Sequence, residues 1–161
     1  MEEVHGEAPS RDQRRAHIKL FTIGFTRKGA REFFGQMREA GVGCVIDTRL
    51  NRRSQLSGFA KEQDLEFLVP ELVRARYAVE PLLAPTAPML AAYRSKALDW
   101  EGYEGAYLAL LRERAVERRL DRALFEGGCL LCSEDKPHHC HRRLAAEYLA
   151  RAWGGVEIHH L

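Results

Sequence analysis

Residues 129–161 read CLLCSEDKPHHCHRRLAAEYLARAWGGVEIHHL and contain the pattern that decides the fold. The apolar run at 129–132 predicts a buried strand, and VEIHHL at the end predicts another. Between them, residues 141–153 carry apolar side chains at helical spacing. A strand, a helix and a strand in succession indicate two parallel strands joined by a crossover. This segment therefore predicts an α/β protein.

The same alternation extends towards the N-terminus. Further strands are predicted at 18–25, 44–49 and 77–79, and further helices at 27–40, 65–72, 89–96 and 103–125. We expect a single three-layer α/β domain over residues 17–161. Its sheet should be mainly parallel and Rossmann-like, with about five strands and an inserted helical segment. Residues 1–16 are polar and are expected to form a flexible tail.

Composition excludes several classes of protein. The 161 residues suit one domain, and 45% hydrophobic with 30% charged residues is typical of a folded, water-soluble chain. The formal net charge is only +2, which excludes a strongly basic nucleic-acid coat. No apolar stretch approaches the roughly 18 residues of a membrane span. The polar N-terminus lacks the apolar core of a signal peptide, so we expect a cytoplasmic protein without membrane association.

Cysteine and histidine residues are gathered near the C-terminus. Cys129 and Cys132 are separated by an odd number of positions, so in a strand their side chains point to opposite faces. We expect Cys129 to be a buried core residue. Cys132, Cys140 and His141 then remain as a cluster. It could hold a divalent metal, Zn or Fe, with an open coordination position, or could supply a nucleophile or a redox pair.

Polar side chains follow the predicted strands. The carboxyl ends of parallel strands lie along one edge of a sheet, where open α/β sheets bind ligands. Asp47 and Arg49 are two positions apart and share a face, which predicts either an internal ion pair or an acid/base beside an anion clamp. The residues expected at an anion site are Arg49, Arg142, Arg143, Thr26, Asn51, Ser54 and Gln55.

Arg142 and Arg143 lie in the first turn of the last predicted helix. The helix dipole disfavours cations there, by roughly 0.3–1 kcal/mol each when exposed, unless an anion is bound. The alternative is two solvated arginines, with Arg143 paired to Glu147 one turn later.

Four aromatic residues flank a polar loop in the helical segment: Tyr93, Trp100, Tyr103 and Tyr107. Such side chains stack on the base or sugar of a ligand, or they pack in the core of a helical lid. The sequence leaves both interpretations open.

Three motifs, taken in order, resemble those of one family: TIGFT at 22–26, DTRLNRRSQLSGF at 47–59 and LLCSEDKPHHCHRR at 130–143. Over residues 18–161 the chain resembles the domain-of-unknown-function 488 family. The family's Cys-x-Glu and Cys-His-Arg signatures match at Cys132 to Glu134 and at Cys140 to Arg142. Its Asp-x-Arg signature matches at Asp47, with Thr48 in place of the usual aliphatic residue. The resemblance implies the fold class and the place of the pocket, and no reaction.

Together these residues predict an enzyme that acts on an anionic, phosphate-bearing substrate, a nucleotide or a nucleic acid. The expected catalytic residues are Cys132, Glu134, His141 and Asp47. Glu134 or His141 would transfer protons, and a cysteine would act as nucleophile or metal ligand. Two alternatives remain open. One is a non-catalytic module that binds a small anion or a metal, and the other is a thiol redox protein that uses Cys132 and Cys140.

Overall fold

In a computed structural model, which describes residues 17–53 and 57–161, five strands form one sheet. They are β1 (Ile18–Gly24), β2 (Cys44–Asp47), β3 (Arg76–Val79), β4 (Gly128–Cys132) and β5 (Val156–His160). The order across the sheet is β3-β2-β4-β1-β5, and every neighbouring pair is parallel. The expected tail at 1–16 and two expected anion-binding residues, Ser54 and Gln55, lie outside the described residues.

The predicted α/β fold with a parallel sheet is confirmed, but a Rossmann-like strand order is not. In the Rossmann order the first two strands are neighbours. Here β4 lies between β1 and β2, because the chain returns from a long helical segment into the middle of the sheet. The exit of β4 is therefore flanked by the exits of β1 and β2.

Helices cover both faces of the sheet. They are α1 (Ala30–Ala40), α2 (Glu62–Val73), α3 (Ala87–Arg94), α4 (Trp100–Arg114), α5 (Val116–Arg119), α6 (Arg122–Phe125) and α7 (His141–Trp153). A single 3-10 turn, Pro81–Leu83, precedes α3. The first two helices pack on one face, and α4 to α7 pack on the other. None of these described helices is both long and apolar enough to cross a bilayer.

Alternating side chains divide the core into two layers. Ile46 and Leu130 point towards α4 and α7, whereas Val45 and Leu131 point towards α1 and α2. All four are fully buried, and burying a side chain of this size contributes roughly 1.5–3 kcal/mol. Because a strand repeats every two residues, each buried strand serves both layers.

Gly24 ends β1 at the point where the chain leaving β4 crosses it. Gly24 pairs with Cys132 in the sheet, and the backbone of Glu134 passes directly over it. A Cβ atom on residue 24 would overlap the Glu134 carbonyl oxygen and would lie 2.6 Å from Nη1 of Arg142. A glycine is therefore required here by the close approach of two backbone segments.

We predict that Gly24→Ala destabilises the protein, because the new methyl group forces the β4 exit away from β1. The expected loss in the free energy of unfolding is about 1–3 kcal/mol or more, measured by urea unfolding. Gly35→Ala is the matched control. Nothing lies within 4 Å of a Cβ atom at this position inside α1, so a gain of about 0.5–1 kcal/mol is expected. Equal stability of Gly24→Ala and the wild type would contradict the packing described here.

Candidate functional site

A cavity of about 180 Å³ lies at the carboxyl edge of the sheet, between the exits of β2 and β4 and the helices α3 and α4. Six residues expected at a site line it: Arg49, Asn51, Cys132, Glu134, Cys140 and His141. The inserted helical segment supplies Tyr93, Arg94, Trp100 and Tyr103. The predicted strand-exit residues and the aromatic residues thus meet around one space.

Asp47, Arg49 and Tyr77 form a buried network beside this cavity. Arg49 donates to Asp47 through Nε at 2.9 Å, through Nη2 at 2.7 Å and through its backbone N–H at 3.1 Å. The Tyr77 hydroxyl donates to Asp47 Oδ2, the oxygen that also accepts from Arg49 Nη2, at 2.5 Å. Asp47 has no exposed surface and Arg49 is 4% exposed. Burial, and then the Asp47 charge, raises the pKa of Tyr77 far above its usual value, so the hydroxyl keeps its proton.

This network contains the internal ion pair, one of the two interpretations of Asp47 and Arg49 that the sequence left open. Four hydrogen bonds already occupy the Asp47 carboxylate, which has no exposed surface. Asp47 therefore orients Arg49. The Nη1 group of Arg49 is buried without a hydrogen-bond partner among the described residues. An unsatisfied buried donor on a residue that lines a cavity is a candidate for ligand contact.

His141 is held by its neighbour at the exit of β2. Its Nε2 lies 3.0 Å from the Thr48 carbonyl oxygen and 3.0 Å from the Thr48 hydroxyl oxygen. A carbonyl only accepts, so Nε2 carries the proton and Nδ1 holds the lone pair of the neutral ring. The Thr48 hydroxyl in turn donates to the Leu131 carbonyl. Burial, with a smaller contribution from Arg142, lowers the pKa of His141 to about 4, so the ring is neutral at neutral pH.

Cys132 and Cys140 both line the cavity, whereas Cys129 does not. The sulfur atoms of Cys132 and Cys140 are in contact, although their Cα atoms are 7.7 Å apart. Cys129 is fully buried in the layer below α1 and α2, which confirms its prediction as a core residue. Cys132, Cys140 and His141 do not form a metal cluster in ligating geometry, and no group of three such side chains does so within 17–53 and 57–161.

Arg142 is buried completely and does not line the cavity as an anion clamp. Its guanidinium donates to the carbonyls of Glu134 and Asp135, to Thr22 Oγ1 at 3.3 Å and to Cys132 Sγ at 3.2 Å. Burial lowers the pKa of Arg142 to about 10, which still leaves it charged at neutral pH. Its position instead fixes the loop that follows β4.

Two further residues expected at the anion site lie outside the cavity. Arg143 forms the predicted ion pair with Glu147 at 3.1 Å, and its Nε donates to the His138 carbonyl. Thr26 donates its hydroxyl to the Ser133 carbonyl at 2.5 Å and lines a second cavity, which shares Glu134 and His139 with the first. Asn51 lines the main cavity and accepts from the Arg53 backbone N–H.

Aromatic rings form one wall of the cavity. Trp100 stacks on His139 with ring centroids 4.7 Å apart and on Tyr103 at 5.5 Å, and Tyr93 lies 4.9 Å from Tyr103. Tyr103 and Tyr107 are buried in the core, whereas Tyr93 and Trp100 keep partly exposed faces. Core packing is therefore confirmed for Tyr103 and Tyr107, and stacking of Tyr93 and Trp100 on a ligand stays a prediction. His139 and Arg94 were not singled out by the sequence, because His139 lies in an irregular loop and Arg94 is an exposed charged residue at the end of α3.

The comparison with protein families identifies the chain. A family model described as Domain of unknown function DUF488 matches residues 29–149, which is more than half of the chain. The protein therefore belongs to this family, as its three motifs predicted. Its activity is not defined by the family's description. No curated protein and no solved structure matches the chain.

The neutral state of His141 predicts a pH dependence of stability. The pKa of His141 is about 4 in the folded protein, against about 6.5 in an unfolded chain. Between these values the unfolded state binds the extra proton, so the stabilisation is complete above about pH 6.5 and is lost as the pH falls towards about 4. His141 is partly exposed at the cavity, and its contact with water reduces this pH-dependent loss of stability.

We expect the free energy of unfolding to fall by about 1–2 kcal/mol more in the wild type than in His141→Gln between about pH 7 and about pH 5. Urea unfolding at both pH values measures this difference, and carboxylates that titrate equally in both proteins cancel. Parallel pH profiles for the two proteins would show that His141 is not held neutral in the fold.

Proposed function

We propose that the protein is an enzyme that acts on a small, phosphate-bearing substrate with a planar ring, of which a nucleotide is the simplest example. The observation that carries this proposal is the composition of the cavity. Its lining combines a buried hydrogen-bond donor on Arg49 and the cation Arg94 with the partly exposed rings of Tyr93 and Trp100. A concave site with a few convergent polar groups and an apolar wall is typical of ligand pockets.

The phosphate end is supported by three groups. Arg49 Nη1 is a buried donor without a partner among the described residues, and Asp47 fixes its orientation. Arg94 brings an exposed positive charge to the cavity. Cys140 and His141 begin α7 there, so the positive end of the helix dipole faces the same space. Together they suit one phosphate group.

The ring end is supported by the wall formed by Tyr93, Trp100 and His139. Stacking of a base on such a side chain contributes roughly 1–3 kcal/mol. With a net charge of only +2, the protein has little general affinity for a polyanion, which favours a free nucleotide over a long nucleic acid.

Glu134 is our candidate for proton transfer. It is exposed and lines the cavity, so its carboxylate is accessible to a bound substrate. His141 is a weak base, because its pKa of about 4 is far from neutral pH and proton transfer is most effective near the working pH. Cys132 is the nucleophile candidate, since Arg142 donates to its sulfur and favours the thiolate.

The alternatives keep distinct support. A non-catalytic module would use the same cavity without Glu134. A thiol redox protein is supported by the contact between the sulfur atoms of Cys132 and Cys140. A bound metal at these cysteines and His141 has no ligating geometry to support it among the described residues.

We predict that adenosine 5′-monophosphate binds to the full chain and changes the fluorescence of Trp100. Arg94→Met should weaken binding at least about tenfold, or about 1.4 kcal/mol, because a charge at the phosphate is lost. Arg112→Met, a change at another exposed arginine at the end of α4 and outside the cavity, is the matched control and should bind as the wild type does. Calorimetric titration measures all three affinities.

Binding by neither adenosine nor guanosine monophosphate, or equal weakening in the two arginine variants, would contradict the proposal. Turnover is tested separately by mass spectrometry of a panel of nucleoside phosphates. We expect Glu134→Gln to retain binding and to lose turnover by roughly a hundredfold. Tight binding of a nucleoside phosphate without turnover of any member of the panel would contradict the enzyme and favour the non-catalytic binding module.

A further inference from the structure

We propose that Cys132 and Cys140 are a redox-active dithiol that a hydroperoxide converts reversibly into a disulfide. The proposal does not rest on the nucleotide site described above. It is carried by the position of the two sulfur atoms, the neighbouring guanidinium and the loop between the two cysteines.

The two thiols belong to different elements that converge at the cavity. Cys132 is the last residue of β4, and Cys140 directly precedes α7. Their sulfur atoms are in contact, and the residues are 1% and 3% exposed. Both cysteines line the cavity, so a small hydroperoxide can reach the sulfur atoms. A disulfide of another protein is too large to enter.

Cys132 is the thiol that we assign to the first step. Nη1 of Arg142 donates to its sulfur at 3.2 Å, and a charge-assisted hydrogen bond stabilises the thiolate. Cys140 lies beside it at the start of α7 and is placed to resolve the product. A peroxide-sensitive cysteine with an adjacent resolving cysteine is a recognised arrangement for reversible oxidation.

Cys44 and Cys129 provide internal controls. Both are free thiols, and each is buried in a different layer of the core: Cys44 lies on the side of α4 and α7, and Cys129 lies on the side of α1 and α2. Burial raises the pKa of each thiol, which disfavours the reactive thiolate. The same oxidant should therefore leave both of them reduced.

The reaction balances with a hydroperoxide as the oxidant. The Cys132 thiolate attacks the peroxide, the O–O bond breaks, and sulfenic acid forms while the leaving oxygen takes a proton to give water or an alcohol. The Cys140 sulfur then attacks the sulfenic sulfur, an S–S bond forms, and the hydroxyl leaves with the Cys140 proton as water. A dithiol reductant reverses the change by two thiol–disulfide exchanges.

Residues 133–139 join the two cysteines, so a covalent bond between the sulfur atoms constrains both ends of this loop. His139 lies in that loop and stacks on Trp100 at 4.7 Å. Oxidation should therefore alter the environment of Trp100.

The test treats the purified full chain with a small excess of hydrogen peroxide and alkylates the remaining thiols under denaturing conditions. We expect the count of free thiols to fall from four to two, with one Cys132–Cys140 linked peptide and restoration of all four by dithiothreitol. In Cys140→Ser, dimedone should trap the sulfenic acid on Cys132. Cys129→Ser, the matched control, should form the same bridge as the wild type.

Fluorescence supplies a measurement that needs no cysteine variant. In Trp153→Phe, where Trp100 is the remaining tryptophan, peroxide should shift the emission and dithiothreitol should reverse the shift. Trp100→Phe should show no such shift. Retention of both thiols after peroxide treatment, or a bridge that involves Cys44 or Cys129, would overturn the proposal.

Discussion

The buried guanidinium of Arg142 holds together the segments from which the cavity is built. Removal of a cation from water is expensive unless its N–H groups find acceptors. Arg142 satisfies this condition with Thr22 on β1, Cys132 on β4 and the two carbonyls that follow β4. Those carbonyls belong to the loop at residues 133–139, which pairs with none of the described strands. The Arg142 side chain from α7 therefore supplies hydrogen bonds in place of strand pairing and holds this loop over Gly24.

A second buried arginine determines what the cavity offers a ligand. The charges of Arg49 and Asp47 cancel within one hydrogen-bonded pair, and Tyr77 fixes the carboxylate from the neighbouring strand. The Nη1 group of Arg49 is left as a buried donor without a partner among the described residues. Positive charge at the cavity comes from Arg94 and the start of α7. In the function that we propose, Arg49 orients the phosphate group and Arg94 attracts it.

Local periodicity was sufficient to predict most elements of the fold. The strand at 129–132 and the helix at 141–153 were predicted within one residue of their bounds, because both are buried on a clear repeat. Strand order was not predictable, since it depends on where a long insertion returns to the sheet. The predicted helical stretch at 103–125 is three helices, beginning at Trp100. Its first break lies at Ala115, which adopts the left-handed conformation with φ of 49°. Neither glycine nor proline stands there, so the sequence does not indicate the break.

Only the part of the site that follows the strands was predictable from the sequence, and the part supplied by α3 and α4 was not. Residues that follow β2 and β4 line the cavity, because parallel strands end at one edge, although Thr26 after β1 does not. The packing of Trp100 and Arg94 against that edge is a tertiary property. Arg142 and Arg143 differ for a reason that the sequence does contain. Arg142 begins the buried stripe that continues through Ala145, Ala146, Leu149 and Trp153, and Arg143 lies on the other face beside Glu147. An arginine in register with an apolar stripe points into the core, so its charge must be used by the fold rather than by a ligand.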